Sequence, residues 1–176
     1  MSRKNIYPIE DLSRDTKILF DTLNEGSDLS CVLIGTSFLD ESLRSLLQRY
    51  FIKSNTSKNI LSPNGFLGSF ASRCDLSYCL NLIDKKIHQD LKTIGEIRNL
   101  FAHSHLNISF AETEVISLTD KLSYCDILKG TAMFSENTNP TPKQIHTNSM
   151  NRFKLTVVLL SQKLLVAGLS TKQQDQ

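Results

Sequence analysis

The chain of 176 residues has no tryptophan, only four prolines, and no stretch of alternating apolar and polar residues long enough to read as a strand. Without Trp, the core has to be aliphatic and Phe-rich. Neither charge sign prevails: 20 Lys and Arg stand against 18 Asp and Glu, a formal net charge of +2. That argues against a strong nonspecific nucleic-acid binder, which carries a basic face or stripe, though it allows a compact basic site. Cysteine is scarce. Cys31, Cys74, Cys79 and Cys125 contain no C-x-x-C pair, so a zinc knuckle or dithiol redox motif is excluded. They read as small core residues in a reducing cytosol. The N-terminal "MSRKNIYPIEDLSRD" lacks an apolar signal segment. The most apolar run, "FKLTVVLLSQKLLVAGL", is broken by Lys154, Gln162 and Lys163. It falls short of the roughly 20 apolar residues that span a bilayer. The expectation is a soluble cytoplasmic protein with no membrane partner.

What is present is helix. "PIEDLSRDTKILFDTLNEG" opens with Pro8, offers Asp11 or Ser13 as a cap, and stops at Gly26. Asp28 opens a wide-arc apolar helix in which Leu39, Leu43, Leu46 and Tyr50 recur at helical spacing beside Ile34 and Phe38. "KSNTSKNILSPNG" reads as a polar connection ending in turn chemistry. A third helix follows, with Leu67, Ala71, Cys74 and Tyr78 along one face, then a fourth with Asp84 as N-cap. So short a joint makes these two helices close neighbours. "AETEVISLTDKLSYCDILKG" predicts one or two short helices, "TAMFSENTNPTPKQIHTNS" a surface loop, and residues from about 150 to 168 a last helix before a frayed tail. The fold class is all-α, a helical bundle in one domain over 1–176. The last helix is apolar on two lines, Phe153, Val157, Leu160, Leu164 and Val158, Leu165, which predicts a homodimer or larger oligomer.

In the fourth helix, Ile87, Leu91, Ile94, Arg98, Phe101 and His105 are spaced 4, 3, 4, 3, 4, the signature of a buried stripe. An arginine on that stripe is costly unless paired. It is either a snorkelling or structural residue, tied to a carboxylate such as Glu41 or Glu96, or a guanidinium held in a cleft to grip a phosphate or carboxylate. His103 lies five residues on, a rotation of roughly 140° along a continuing helix. The two converge only if the helix ends near Ala102 or if two chains meet there. Alone, His103 reads as a surface or helix-end residue. Beside Arg98, with Asn99, Ser104 and His105 near, it allows metal-free RNA cleavage: a histidine moves the proton and an arginine stabilises the phosphorane-like charge. No Asp/Glu/His cluster has metal-ligand spacing, and "HSH" is too little for a site. No cofactor or metal is expected. "NGFLGS" lacks the Lys-Ser/Thr of a phosphate loop and reads as a turn with close helix packing.

"RNLFAH", residues 98–103, resembles the R-x(4–6)-H motif of the HEPN superfamily. That resemblance implies a helical bundle, a metal-independent endoribonuclease of toxin or defence type, a dimer cleft, and a cognate antitoxin. "LDESLRSLL", "SPNGFLGSFASRCDLSYCLNLI" and "EIRNLFAHS", over roughly 28 to 110, resemble the MltR (mannitol operon repressor-like) family. This implies a helical transcriptional regulator. No helix-turn-helix is evident, so DNA is a weaker expectation than RNA or a protein partner. Three readings follow: an endoribonuclease with Arg98 on the scissile phosphate, His103 in acid/base catalysis, and Asn99, Glu96, Ser104, His105 and Glu41 in support; a non-enzymatic regulator acting through protein contacts or weak DNA binding; and a helical dimer module in which Arg98 and His103 are structural.

Overall fold

The structure is a computed structural model that describes residues 18, 19, 21–103, 108–124, 126 and 141–170. The predicted caps Pro8, Asp11 and Ser13, together with Ser104, His105, Cys125 and the tail from 171, lie outside these residues. The described segments are helical: α1 (residues 18–19 and 21–25), α2 (Asp28–Tyr50), α3 (Asn55–Ile60), α4 (Phe70–Cys79), α5 (Lys85–His103), α6 (Thr113–Lys121) and α7 (Pro142–Ser170).

Serine caps start three of these helices. Ser27, Ser54 and Ser69 accept hydrogen bonds from the backbone N–H three residues on, at 3.2, 3.0 and 3.1 Å, satisfying orphan donors of the first turn. Asp84 does the same for α5, accepting from Ile87 N at 2.8 Å. The polar connection after α2 is thus partly helical, because Ser54 caps it. The turn that follows is closed by backbone packing. A Cβ at Gly65 would lie 2.1 Å from the Asn59 carbonyl, and one at Gly68 2.2 Å from that of Pro63, so only glycine fits either position. The turn buries Leu67 with Leu47 and Leu61 in a small satellite core and leaves Phe66 89% exposed.

The main core forms where α7 crosses α2. Phe153, Val157, Leu160 and Leu164 of α7 meet Val32, Leu39, Leu43 and Leu46 of α2 in one buried cluster. Gly35 allows the close approach, since a Cβ there would sit 3.3 Å from Phe153 and Val157. α5 completes the cluster with Ile87, Leu91, Ile94, Ile97 and Phe101, and α4 and α6 pack on its flanks.

Several expectations change. The last helix begins at Pro142, not near Met150. Its residue count and composition would suffice to cross a membrane, yet its apolar line is core. Of its second apolar line, Val158 packs against that same core and Leu165 is half-buried outside it, while Val166 and Leu169 are exposed. On α4 the buried face is Arg73, Cys74 and Ser77, not Ala71 and Tyr78. On α2, Ile34 is exposed. Of the described cysteines, Cys31 and Cys74 are buried and Cys79 is exposed.

Candidate functional site

The late part of α5 carries the predicted site, and its geometry differs from the predicted stripe. The buried residues of α5 are Ile87, Asp90, Leu91, Ile94, Ile97 and Phe101. Ile97 fills the core position assigned to Arg98. One residue on, rotated by about 100°, Arg98 is exposed and donates to Asn99 Oδ1 at 3.1 Å. Neither expected carboxylate pairs with it. Glu41 is bound by Arg44 of its own helix, at 2.7 Å, and Glu96 is an exposed groove residue.

α5 runs to His103, one residue past Ala102. The two side chains nevertheless open on different grooves. Arg98 lines a hollow of about 640 Å³ between α2, α4 and α5. His103 lines one of about 760 Å³ between α5 and α6, with Glu114, Ser117 and Lys121. Glu96 and Asn99 border both. One chain does not bring Arg98 and His103 to a common point. Among the described residues, no group of three or more His, Cys, Asp or Glu is placed to hold a metal ion.

The charges that are buried escaped the sequence reading. Asp90, 1% exposed, accepts from Ser123 N at 3.0 Å, Ser123 Oγ at 3.1 Å and Tyr124 N at 2.7 Å, tying α5 to the segment after α6. Arg73 of α4 is ion-paired with Asp40 of α2 and donates to the Leu61 carbonyl at 3.3 Å. Lys154 of α7 donates to Asn24 Oδ1 at 3.1 Å. Asp28, first residue of α2, accepts from Phe110 N at 3.0 Å and meets His146 Nε2 at 2.7 Å. The one available signal was periodicity: Asp90 lies three residues after Ile87 and four before Ile94, within the apolar face. Arg73 precedes Cys74 with no apolar stripe to flag it.

Burial pushes the Cys31 thiol up to about 11, with Lys154 opposing and Asp28 reinforcing. It pushes Cys74 up to about 12, reinforced by Asp75 and Asp40. Both are inert core thiols at neutral pH. A hydrogen bond from His88 holds the Asp75 carboxyl below its usual range, and Lys92 adds to the effect. His88 meets Asp75 at 2.8 Å and stacks on Tyr78, ring centroids 4.6 Å apart, which locks α5 to α4.

This all-α arrangement is shared with solved bacterial proteins. It matches the MtlR component of the MtlR–HPr complex from Escherichia coli with a TM-score of 0.68 at 18% identity, over 85% of this chain and 97% of that one. It matches a possible transcriptional regulator, YggD, from Shigella flexneri 2a with a TM-score of 0.67 at 15% identity, over 90% and 99% of the two chains. At such identities these likenesses show the fold. The family model described as mannitol repressor, MtlR (also written MltR), matches residues 15–170. The chain belongs to the mannitol repressor family. No curated protein sequence matches it.

Proposed function

We propose that the chain is a non-enzymatic regulator that works through a protein partner, and that the partner is HPr or its counterpart in the same cell. What supports this is the family match over residues 15–170, together with a fold shared along nearly the whole length of an MtlR solved as a complex with HPr. The balanced charge, +2 overall, fits a protein partner better than a nucleic-acid backbone, whose binding is driven by clustered Lys and Arg.

The geometry of α5 weighs against ribonuclease chemistry within one chain. A proton-moving His103 and a charge-stabilising Arg98 have to reach the same phosphate, and they border separate grooves. Only a site shared between two chains would bring them together. The separating experiment mixes the purified chain with purified HPr on a sizing column, and in parallel with mixed RNA in EDTA. The regulator reading expects co-elution and intact RNA. RNA cut to 2′,3′-cyclic ends, with cutting lost in His103→Ala, would replace it with the two-chain ribonuclease.

A further inference from the structure

The exposed apolar side chains are not spread evenly. Leu169 and Val166, near the end of α7, are 60% and 57% exposed, and Ile52, just past α2, is 44% exposed. The two helix ends meet, since a Cβ on Gly168 would lie 3.7 Å from Cδ of Arg49. α3 folds back on this end, where Ser57 Oγ donates to the Ile52 carbonyl at 2.6 Å. The glycine-closed turn comes next. Leu67 N donates to the Ile60 carbonyl at 2.9 Å, and the Leu67 side chain packs in the satellite core with Leu47 and Phe51 at the end of α2. That turn carries Phe66, the most exposed large apolar residue among those described. A fixed backbone thus holds an aromatic ring out in water, at the same end as three exposed aliphatic side chains. Apolar exposure gathered in this way marks a contact surface.

The unpaired charges at this end have one sign. Residues 42–74 and 137–174 contain no Asp or Glu. Arg44 is bound to Glu41 and Arg73 to Asp40. Arg49, Lys53, Lys58 and Lys163 have no ion pair within the described residues. The joint between α4 and α5 reaches the satellite core through Leu80 and Leu82. Its one acid, Asp84, caps Ile87 N and is followed by the exposed Lys85 and Lys86. The balanced total of +2 therefore hides a basic end.

Aliphatic tips in a basic field suit one kind of occupant. A second copy on a two-fold axis would set like charges face to face. Protein interfaces are poor in Lys. Single-stranded nucleic acid stacks on aromatic rings, and three of the four exposed apolar groups here have no ring. We propose that this end of the molecule docks on the surface of an anionic lipid bilayer. Phe66, Ile52, Val166 and Leu169 enter the boundary between headgroups and acyl chains, and Arg49, Lys53, Lys58 and Lys163 meet lipid phosphates. The contact is with a surface and is not a span, because the other face of α7 is core. It goes beyond the partner reading and does not depend on it.

The test is flotation of the full chain with vesicles of phosphatidylglycerol and phosphatidylcholine in equal parts, beside vesicles of phosphatidylcholine alone. Binding to the anionic vesicles is expected, and it falls at least about tenfold without phosphatidylglycerol or in about 0.5 M salt. Phe66→Ser combined with Leu169→Ser, and Lys58→Glu combined with Lys163→Glu, each weaken it at least about tenfold. Leu29→Ser changes an exposed apolar residue in the first turn of α2, at the other end of that helix, and is expected to leave binding unchanged. Melting temperature is expected to hold in all three proteins. No flotation with anionic vesicles, flotation that both end variants leave unchanged, or an equal loss in Leu29→Ser would overturn the inference. A dimer by light scattering, or a complex with a single-stranded oligonucleotide, that both end variants abolish in place of flotation would give the end to that occupant and overturn it too.

Discussion

Ile97 and Arg98 both satisfy the spacing between Ile94 and Phe101, three then four residues or four then three. Hydrophobicity decides between them, and Ile97 is fully buried while Arg98 is exposed. The arginine looked anomalous because the spacing was followed through the wrong one of two adjacent residues. Arg98→Ala is therefore expected to shift stability by less than about 0.5 kcal/mol, as for most surface changes. Asp90→Ala leaves the Ser123 and Tyr124 N–H groups without their acceptor and is expected to cost about 3 kcal/mol. Urea melts of the two variants check this, and equal losses would contradict the placement of α5. The thiols give a second residue-scale prediction. At pH 8 iodoacetamide is expected to label Cys79 and to spare Cys31 and Cys74 until the chain unfolds, as peptide mapping by mass would show. The two buried thiols leave stability untouched below the ordinary thiol value of 9.0. They lower it as pH rises from there toward 11 and 12, because only the unfolded chain releases those protons.

At the scale of the element, helix existence was legible and helix starts were less so. Asp84 was legible as the cap of α5 and Asp28 as the opening of α2, whereas the serine caps Ser27 and Ser69 were passed over. α7 shows what was missed. "TPKQ" is a capping box: Gln144 N donates to Thr141 Oγ1 at 3.3 Å, and Thr141 N donates to Gln144 Oε1 at 2.8 Å, with Pro142 in the first position. The polar composition of residues 141–149 outweighed that signal, so two turns of helix read as loop. They stay helical because tertiary contacts hold them: His146 meets Asp28, and Ser149 Oγ lies 2.8 Å from Thr119 Oγ1. Thr141→Ala is expected to cost about 1 kcal/mol and to raise amide exchange in the first turn of α7 ahead of the rest of the helix. Uniform exchange along α7 would contradict a local cap.

For the whole molecule, the all-α class was legible from helical periodicity and the absence of strand alternation, and the family from the ordered segments between residues 28 and 110. The arrangement of the grooves was not. Which faces of α2 and α5 stay open depends on how α7 crosses α2 at Gly35, and no single helix encodes that crossing. Nor does spacing along α5 reveal that Arg98 and His103 border two grooves, since that turns on how α2, α4 and α6 pack around it. The proposed regulator recognises a protein partner and does not cleave RNA. Calorimetric titration of the full chain with HPr from the same cell tests it most directly. The account predicts saturable binding near one to one with a Kd tighter than about 10 μM, in the range of transient regulatory complexes. No heat of binding at concentrations up to about 100 μM would contradict it.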